Sequence, residues 1–487
     1  MLAGLGLPAF SLASVTPSRV SVHDMYVGEA IYFAAQGDYI DAITRLDSAM
    51  GLRTVPDRAS ASLYLQAGKS RYAIGDFESS YRMPVRSGNI IRAVLEQSND
   101  PLVRNEAIYR IAQIDMEAGD TGKALENMEK ISGKVPENIR EDELFLRARI
   151  YMSNGDFVGA TKPLNALLDS RSYKGLASYN LGVALIKSGQ EKQGLEQLDK
   201  TGRYSGDDEV ELSIKDKANL ALGFRFADAK QPELAKTYLE RVRLTGPFSN
   251  RALLGLGWAD VARGRFDGAL VPWIILARGD KSDKSVQESM LDVPYAYSKL
   301  NLPGKAAKHY LNALNEFENE LKRLDASIKS VSEGRFLQVL MHNDLRQDDN
   351  WLARVGSLPA SPETDYLLEM MVADEFQSVM RDFLDLHDIS GRLASWGGSL
   401  DKLASLRPSI GKGDMEQIRQ LQIRVREISR TVGEIQTLQG KKLEKLALDE
   451  LKRRQEQLIE YQEHARVALA ESYQQASKSR PTSGGAK

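Results

Sequence analysis

The sequence predicts an all-α protein in which a right-handed solenoid of helical hairpins precedes a helical C-terminal region. Small turn residues recur every 34 to 44 residues along the first two thirds of the chain. Between them, apolar residues are spaced three and four apart, which places them on one face of a helix. The composition, 42% hydrophobic and 27% charged, is ordinary for a folded protein. With 487 residues, the chain is too long for one compact core of ordinary size.

The N-terminus begins with an apolar run, Leu2 to Leu12, followed by the small residues Ala13 and Ser14. This order is typical of the apolar region and cleavage site of a secretory signal, so we expect residues 1–13 to be a signal remnant. The basic region that normally precedes such a run is missing, which leaves a plain apolar N-terminus as the alternative. The run is too short to span a bilayer, and no other stretch predicts a transmembrane span. Export without cysteine is typical of a bacterial periplasmic protein.

The turns share a composition: glycine, a polar residue and an aromatic residue, with a small residue three positions further on. We expect the glycine to close the first helix in a left-handed cap, and a neighbouring aspartate to accept from amides of the second helix. The aromatic ring would fill the gap between the helices, and the small residue would lie where their backbones cross. The packing residues of these turns are Gly37, Tyr39 and Ala42; Gly75 and Phe77; Gly155, Phe157 and Ala160; Gly264, Phe266 and Ala269.

Two stretches carry this pattern most completely, YNLGVALIKSGQEKQGLEQL (179–198), with Gly182 inside its first helix, and LLGLGWADVARGRFDGALVPW (253–273). They resemble the tetratricopeptide repeat family. The resemblance covers about eight units over residues 25–320, with further turns expected near Lys230 and Asn301. It departs from the family in its third unit, which is stretched, and at Gln190, where the aromatic turn is replaced. The resemblance implies a helical-hairpin solenoid whose concave surface holds a protein partner.

The C-terminal part predicts long helices. We expect a helical cap over residues 321–395, a coiled-coil segment over 414–476 and a disordered tail over 477–487. A coiled-coil seam is indicated by residues that alternate steps of four and three: Leu421, Val425, Ile428, Val432 and Ile435. Three arrangements fit this seam. The segment could form a dimer, fold back as an antiparallel hairpin with its turn near Gly440, or pack on residues 366–390.

No constellation in the sequence predicts catalysis. The absence of cysteine excludes disulfides, thiolate metal sites and cysteine nucleophiles. No two of the five histidines are three or four residues apart, and neither a phosphate-binding loop nor a nucleophile elbow is present. We therefore predict no catalytic residue, no metal and no cofactor. A net charge of −2 gives no reason to expect a nucleic-acid partner.

Four aromatic residues could line a partner-binding patch on the concave surface: Trp258, Trp273, Tyr295 and Tyr297. The alternative is that these rings pack between neighbouring helices. The resemblance favours a non-catalytic scaffold in a bacterial envelope assembly, such as a secretion, polymer-export or energy-coupling complex, acting as a monomer or coiled-coil dimer. A cytoplasmic regulator that binds a peptide is the second hypothesis. A cell-wall hydrolase with Trp258, Trp273 and Trp396 as sugar platforms is the third.

Overall fold

The computed structural model describes residues 99–117, 119–204, 208–342, 364–371, 373–405 and 412–478. Over these ranges the chain is helical and forms no strand. The predicted segment 1–13, the first two turns (Gly37, Tyr39, Ala42, Gly75 and Phe77) and all of the predicted tail beyond residue 478 lie outside the described residues. The described residues divide into two compact units, one that ends at Ala259 and one that begins at Asp260.

In the first unit, the described helices form successive hairpins. Each hairpin joins two helices through a short turn, and its apolar stripes pack against the next hairpin. Ala148, Ala160 and Leu164, for example, share one buried cluster with Ala177 and Leu181 of the following hairpin. The helices are α1 Pro101–Glu117, α2 Thr121–Met128, α3 Arg140–Ser153, α4 Phe157–Ala166, α5 Lys174–Lys187, α6 Glu191–Gly202, α7 Glu209–Asp228, α8 Pro232–Leu239 and α9 Ser249–Ala262, which ends in the second unit.

The left-handed caps predicted at the turns are present in the described hairpins. Gly155 has φ 80° and Gly264 has φ 73°, and the same role is played by Lys230 and Asn301, each at φ 57°. The amide that follows each of these residues donates to a carbonyl five residues earlier, as in the 2.9 Å bond from Asp156 to Tyr151. The turns near Lys230 and Asn301 therefore lie where the repeat spacing predicts them.

The second helix of a hairpin is capped by aspartate wherever the turn supplies one. Asp156 Oδ1 accepts from the amide of Gly159 at 2.7 Å, and Asp120 Oδ1 accepts from the amide of Lys123 at 3.1 Å. Gln190 occupies the same place without a side-chain cap. The small residues that follow, such as Ala160 and Ala269, are fully buried, as expected for the point where two helix backbones cross closely.

The second unit is built on a helix of 67 residues. Its first half pairs with the helix Asp374–Ser405, since Gln422 Nε2 donates to Asp401 at 2.7 Å and Val425 lies against Gly397. Its second half runs antiparallel to the helix Pro303–Ser332, where Gln455 Nε2 donates to Asp325 at 2.6 Å. The helices are α10 Phe266–Leu276, α11 Lys284–Lys299, α12 Pro303–Ser332, α13 Arg335–His342, α14 Thr364–Met371, α15 Asp374–Ser405 and α16 Lys412–Lys478.

The turn expected near Gly440 is wrong. The helix α16 continues through this position, and Gly440 is buried because other side chains approach its backbone. A Cβ there would lie 3.1 Å from Leu337 Cδ1 and 3.2 Å from Phe383 Cε2. Glycine at this position therefore permits a close approach rather than a reversal of the chain. Of the three arrangements considered for this segment, the structure shows packing on the helix that contains residues 374–390.

A buried polar network holds the second unit together. The hydroxyl of Tyr366 donates to Glu320 Oε2 at 2.6 Å, joining α14 to α12. The Arg454 guanidinium donates to the Ser282 carbonyl at 3.0 Å and to Glu450 Oε1 at 2.9 Å. These bonds tie α16 to the segment that precedes α11, and they satisfy charges that would be costly to bury alone.

Candidate partner-binding site

Cationic side chains lie over aromatic rings along the first helices of three consecutive hairpins, α5, α7 and α9. Lys217 Nζ on α7 lies 4.9 Å from the ring centroid of Tyr179 on α5. Arg251 Cζ on α9 lies 5.7 Å from the ring centroid of Phe224 on α7. Such geometry favours a cation–π interaction. We call Tyr179, Lys217, Phe224 and Arg251 the cation row; all four belong to the first unit.

The two charges of the cation row have no carboxylate partner among the described residues, where neither Lys217 nor Arg251 forms an ion pair. Burial lowers the pKa of Lys217, because a desolvated ammonium is less stable than a hydrated one. Burial also raises the pKa of Tyr179, and the positive charge of Arg251 opposes that shift. The row thus presents two positive charges above a partly apolar surface formed by the aromatic rings. This arrangement can bind a carboxylate-bearing segment.

One predicted aromatic residue extends this row. Trp258 follows Arg251 by two helical turns on α9, so the two residues share a face. Its side chain is 41% exposed, which is unusual for a ring of this size in the interior of a repeat array. Trp258 can therefore offer an apolar contact next to the positive charge of Arg251.

The other three predicted aromatic residues belong to the second unit, and they serve packing. Trp273 is fully buried, so its expected place on an exposed patch is wrong. Tyr295 is half-buried, and its ring lies 6.1 Å from that of Phe266 in an edge-to-face contact. Tyr297, also half-buried, stacks on His309 with ring centroids 5.2 Å apart. These contacts correspond to the alternative in which aromatic rings fill the space between helices.

The sequence prediction missed the cation row, because its two cationic residues, Lys217 and Arg251, are separated by about one repeat. A usable signal was present. Lys217 and Arg251 stand at the same distance before the left-handed turn residues of their own hairpins, Lys230 and Gly264. Residues at equivalent positions of successive repeats stack beside one another in a solenoid. A basic residue that recurs in this way predicts a charged row across neighbouring first helices.

The described residues show neither a metal centre nor a bilayer-spanning helix. No three histidine or acidic side chains among them are grouped closely enough to hold a metal ion. None of their helices combines the length and the apolar character needed to cross a membrane.

Comparison with known proteins finds a repeat model that matches part of the chain. The tetratricopeptide repeat model matches residues 220–283, which run from α7 to the residue directly before α11. No curated protein matches the sequence. Among solved structures, MamA MSR-1 is 21% identical over 37% of this chain and 98% of its own, with a TM-score of 0.28. A tetratricopeptide repeat protein from Parabacteroides merdae is 12% identical over 55% and 97%, at 0.34. The apo form of RapI is 12% identical over 68% and 98%, at 0.42.

Proposed function

We propose that this chain, of which residues 220–283 match the tetratricopeptide repeat model, is a non-catalytic scaffold whose cation row binds an acidic segment of a partner protein. The observation that carries this proposal is the pair of charges on Lys217 and Arg251, each held over an aromatic ring and neither in an ion pair with another described residue. A peptide carboxylate placed between them would gain two charge-assisted contacts. Trp258, exposed on the same face of α9 as Arg251, would add an apolar contact.

We further propose that the partner belongs to a bacterial envelope assembly, such as a secretion, polymer-export or energy-coupling complex in the periplasm. Two features of the sequence support this location: the apolar run from Leu2 to Leu12 followed by small residues, and the lack of cysteine. Cell fractionation with sequencing of the mature N-terminus tests it. A periplasmic chain that begins near Ser14 agrees with the proposal. A cytosolic chain with an intact N-terminus contradicts it and favours the cytoplasmic regulator.

The partner-binding proposal is tested by reversing the charges of the cation row. We expect the double variant Lys217→Glu, Arg251→Glu to lose the partner in affinity capture from cells, because both contacts become repulsive. Raising the salt concentration should release the same partner from the unmodified protein. The matched control is Lys162→Glu, Lys192→Glu, which changes the net charge equally at exposed positions on the second helices α4 and α6. The proposal is contradicted if the control variant loses the partner to the same extent, or if the variant of the cation row still binds it.

A further inference from the structure

The two-helix arm formed by α15 and the first half of α16 carries an exposed apolar face. Five of its large side chains are between 42% and 49% exposed, and a sixth, Ile389, is half-buried. On each helix they recur at intervals of seven residues. We call this set the arm face: Ile389, Trp396 and Leu403 on α15, with Leu421, Ile428 and Ile435 on α16.

The six side chains lie on one side of the arm and at matching levels. The contact of Gln422 with Asp401 places Leu421 within one residue of the level of Leu403. On both helices, each arm-face residue directly precedes a residue that faces the other helix of the arm. Gly397, for example, follows Trp396 on α15 and lies against Val425 of α16. In an antiparallel pair, residues with this same offset project on the same side of the pair. The arm face is therefore continuous across both helices.

The spacing of this face indicates that its occupant is helical. On α16 the exposed residues Leu421, Ile428, Ile435 and Leu438 mark a second seam, beside the one that packs on α15. Steps of seven residues on both helices are the repeat of a helix bundle, whereas a loop or an extended peptide would not require them. In a twofold-symmetric interface, both copies contribute the same surface. A second copy of the arm therefore presents apolar residues at the same seven-residue spacing.

The size of the face also fits a second copy. At 1.5 Å per residue the face is about 21 Å long, and two helices make it about 20 Å wide. Two such faces would bury on the order of 1,000 Å² in total, the lower limit for a specific interface. We propose that the arm faces of two copies pack together as a four-helix bundle.

Sedimentation equilibrium of the full chain from about 1 to about 100 µM tests the proposal. We expect a reversible dimer whose Kd rises at least tenfold in the variant Ile428→Glu, because a carboxylate would enter the apolar seam. The matched control is Val467→Glu, which changes a 62% exposed residue of the same helix outside the arm face. Thermal unfolding followed by circular dichroism checks that both variants fold; the positions are exposed, so the monomer should tolerate them.

A second measurement locates the interface, because the chain has no cysteine of its own. Chains carrying Ile428→Cys are labelled separately with a donor or an acceptor dye and then mixed. Energy transfer that rises with concentration and is abolished by adding Leu421→Glu supports the proposal. A monomer at every concentration overturns it and leaves the arm face to a different protein. A dimer that is insensitive to Ile428→Glu, or that shows no transfer, also overturns it.

Discussion

Gly182 and Gly194 face each other where α5 crosses α6. A Cβ on Gly194 would lie 2.7 Å from the Gly182 carbonyl oxygen and 2.8 Å from the amide nitrogen of Ile186. Ala160 and Ala269 occupy the place of Gly194 in other hairpins, so this crossing is closer than those. We expect Gly194→Ala to destabilise the protein by about 1–3 kcal/mol, since neither backbone contact can move aside freely. Urea unfolding measures the change.

The control for this prediction is a glycine in an open helix interior. A Cβ added at Gly433 in α16 would meet open space, with no atom of the described residues within 4 Å beyond its own helix backbone. Gly433→Ala should therefore stabilise the chain by up to about 1 kcal/mol through helix propensity alone. The same chemical change thus has opposite signs at the two positions. Two changes of the same sign would show that the crossing of α5 and α6 is not constrained as described.

The turn residue Lys230 carries a strain that glycine would relieve. Its φ of 57° is left-handed, while Gly155 occupies the equivalent place at φ 80°. We expect Lys230→Gly to stabilise the protein by about 0.5–1 kcal/mol, the relieved strain being partly offset by greater freedom of the unfolded chain. Gly155→Ala should destabilise it by about 1 kcal/mol. Unfolding free energies of both variants check this, and a destabilised Lys230→Gly would contradict it.

Glycines show how far the sequence alone could predict this fold. At Gly155 and Gly264 the repeat spacing identified a left-handed turn, because the signal is local and recurs. At Gly440 the same residue type suggested a turn within a long helix, yet the structure has an uninterrupted helix. Its cause is the approach of Leu337 and Phe383, which lie far away in the sequence. A local pattern cannot distinguish a glycine that turns the chain from one that admits a neighbour.

The bond between Tyr366 and Glu320 gives a prediction for the second unit. Tyr366 is fully buried, and its hydroxyl satisfies a carboxylate that is itself buried. Tyr366→Phe should cost about 1–3 kcal/mol, because Glu320 then loses one of its partners in the interior. Tyr473→Phe on α16 is the control, since Tyr473 is 57% exposed. Equal stability of the two variants in thermal unfolding would refute a structural role for this bond.

The buried carboxyl of Asp292 predicts a pH dependence of stability. Burial, helped by the charge of Glu288, raises the pKa of Asp292 to about 8, and its Oδ2 atom has no hydrogen-bond partner among the described residues. The folded state therefore binds a proton more tightly than the unfolded state, whose value is 3.8. Stability should fall as the pH rises from about 4 to about 8, by an amount on the order of a few kcal/mol.

The variant Asp292→Asn isolates this effect, because an amide cannot titrate. Urea unfolding at several pH values between 4 and 9 should show a shallower decline for Asp292→Asn than for the unmodified chain. The nearby Tyr310 and Tyr461 have pKa values raised by burial, so they stay neutral over this range and add no slope. Parallel stability curves for the two proteins would mean that Asp292 is already ionised when folded.

The candidate site was less predictable than the fold. The sequence gives the same reason to place Trp258 and Trp273 on a partner-binding patch. In the structure, Trp258 is 41% exposed and Trp273 is fully buried. Which aromatic residue reaches solvent depends on the helices packed beside it, and single-sequence periodicity does not specify these neighbours. The contact between Lys217 and Tyr179 likewise joins two different hairpins. Pairing residues at equivalent repeat positions would have indicated that Lys217 and Arg251 recur, but not which ring each one covers.

Photo-crosslinking in living cells tests the central claim most directly. A benzoylphenylalanine at Trp258 should form an adduct with one partner protein, and this adduct should disappear when Lys217 and Arg251 are changed to glutamate. The same photo-reactive residue at Val158, 63% exposed on the second helix α4, should not capture that partner. An adduct at Val158 but not at Trp258, or one at Trp258 that survives the charge reversal, would contradict binding at the cation row.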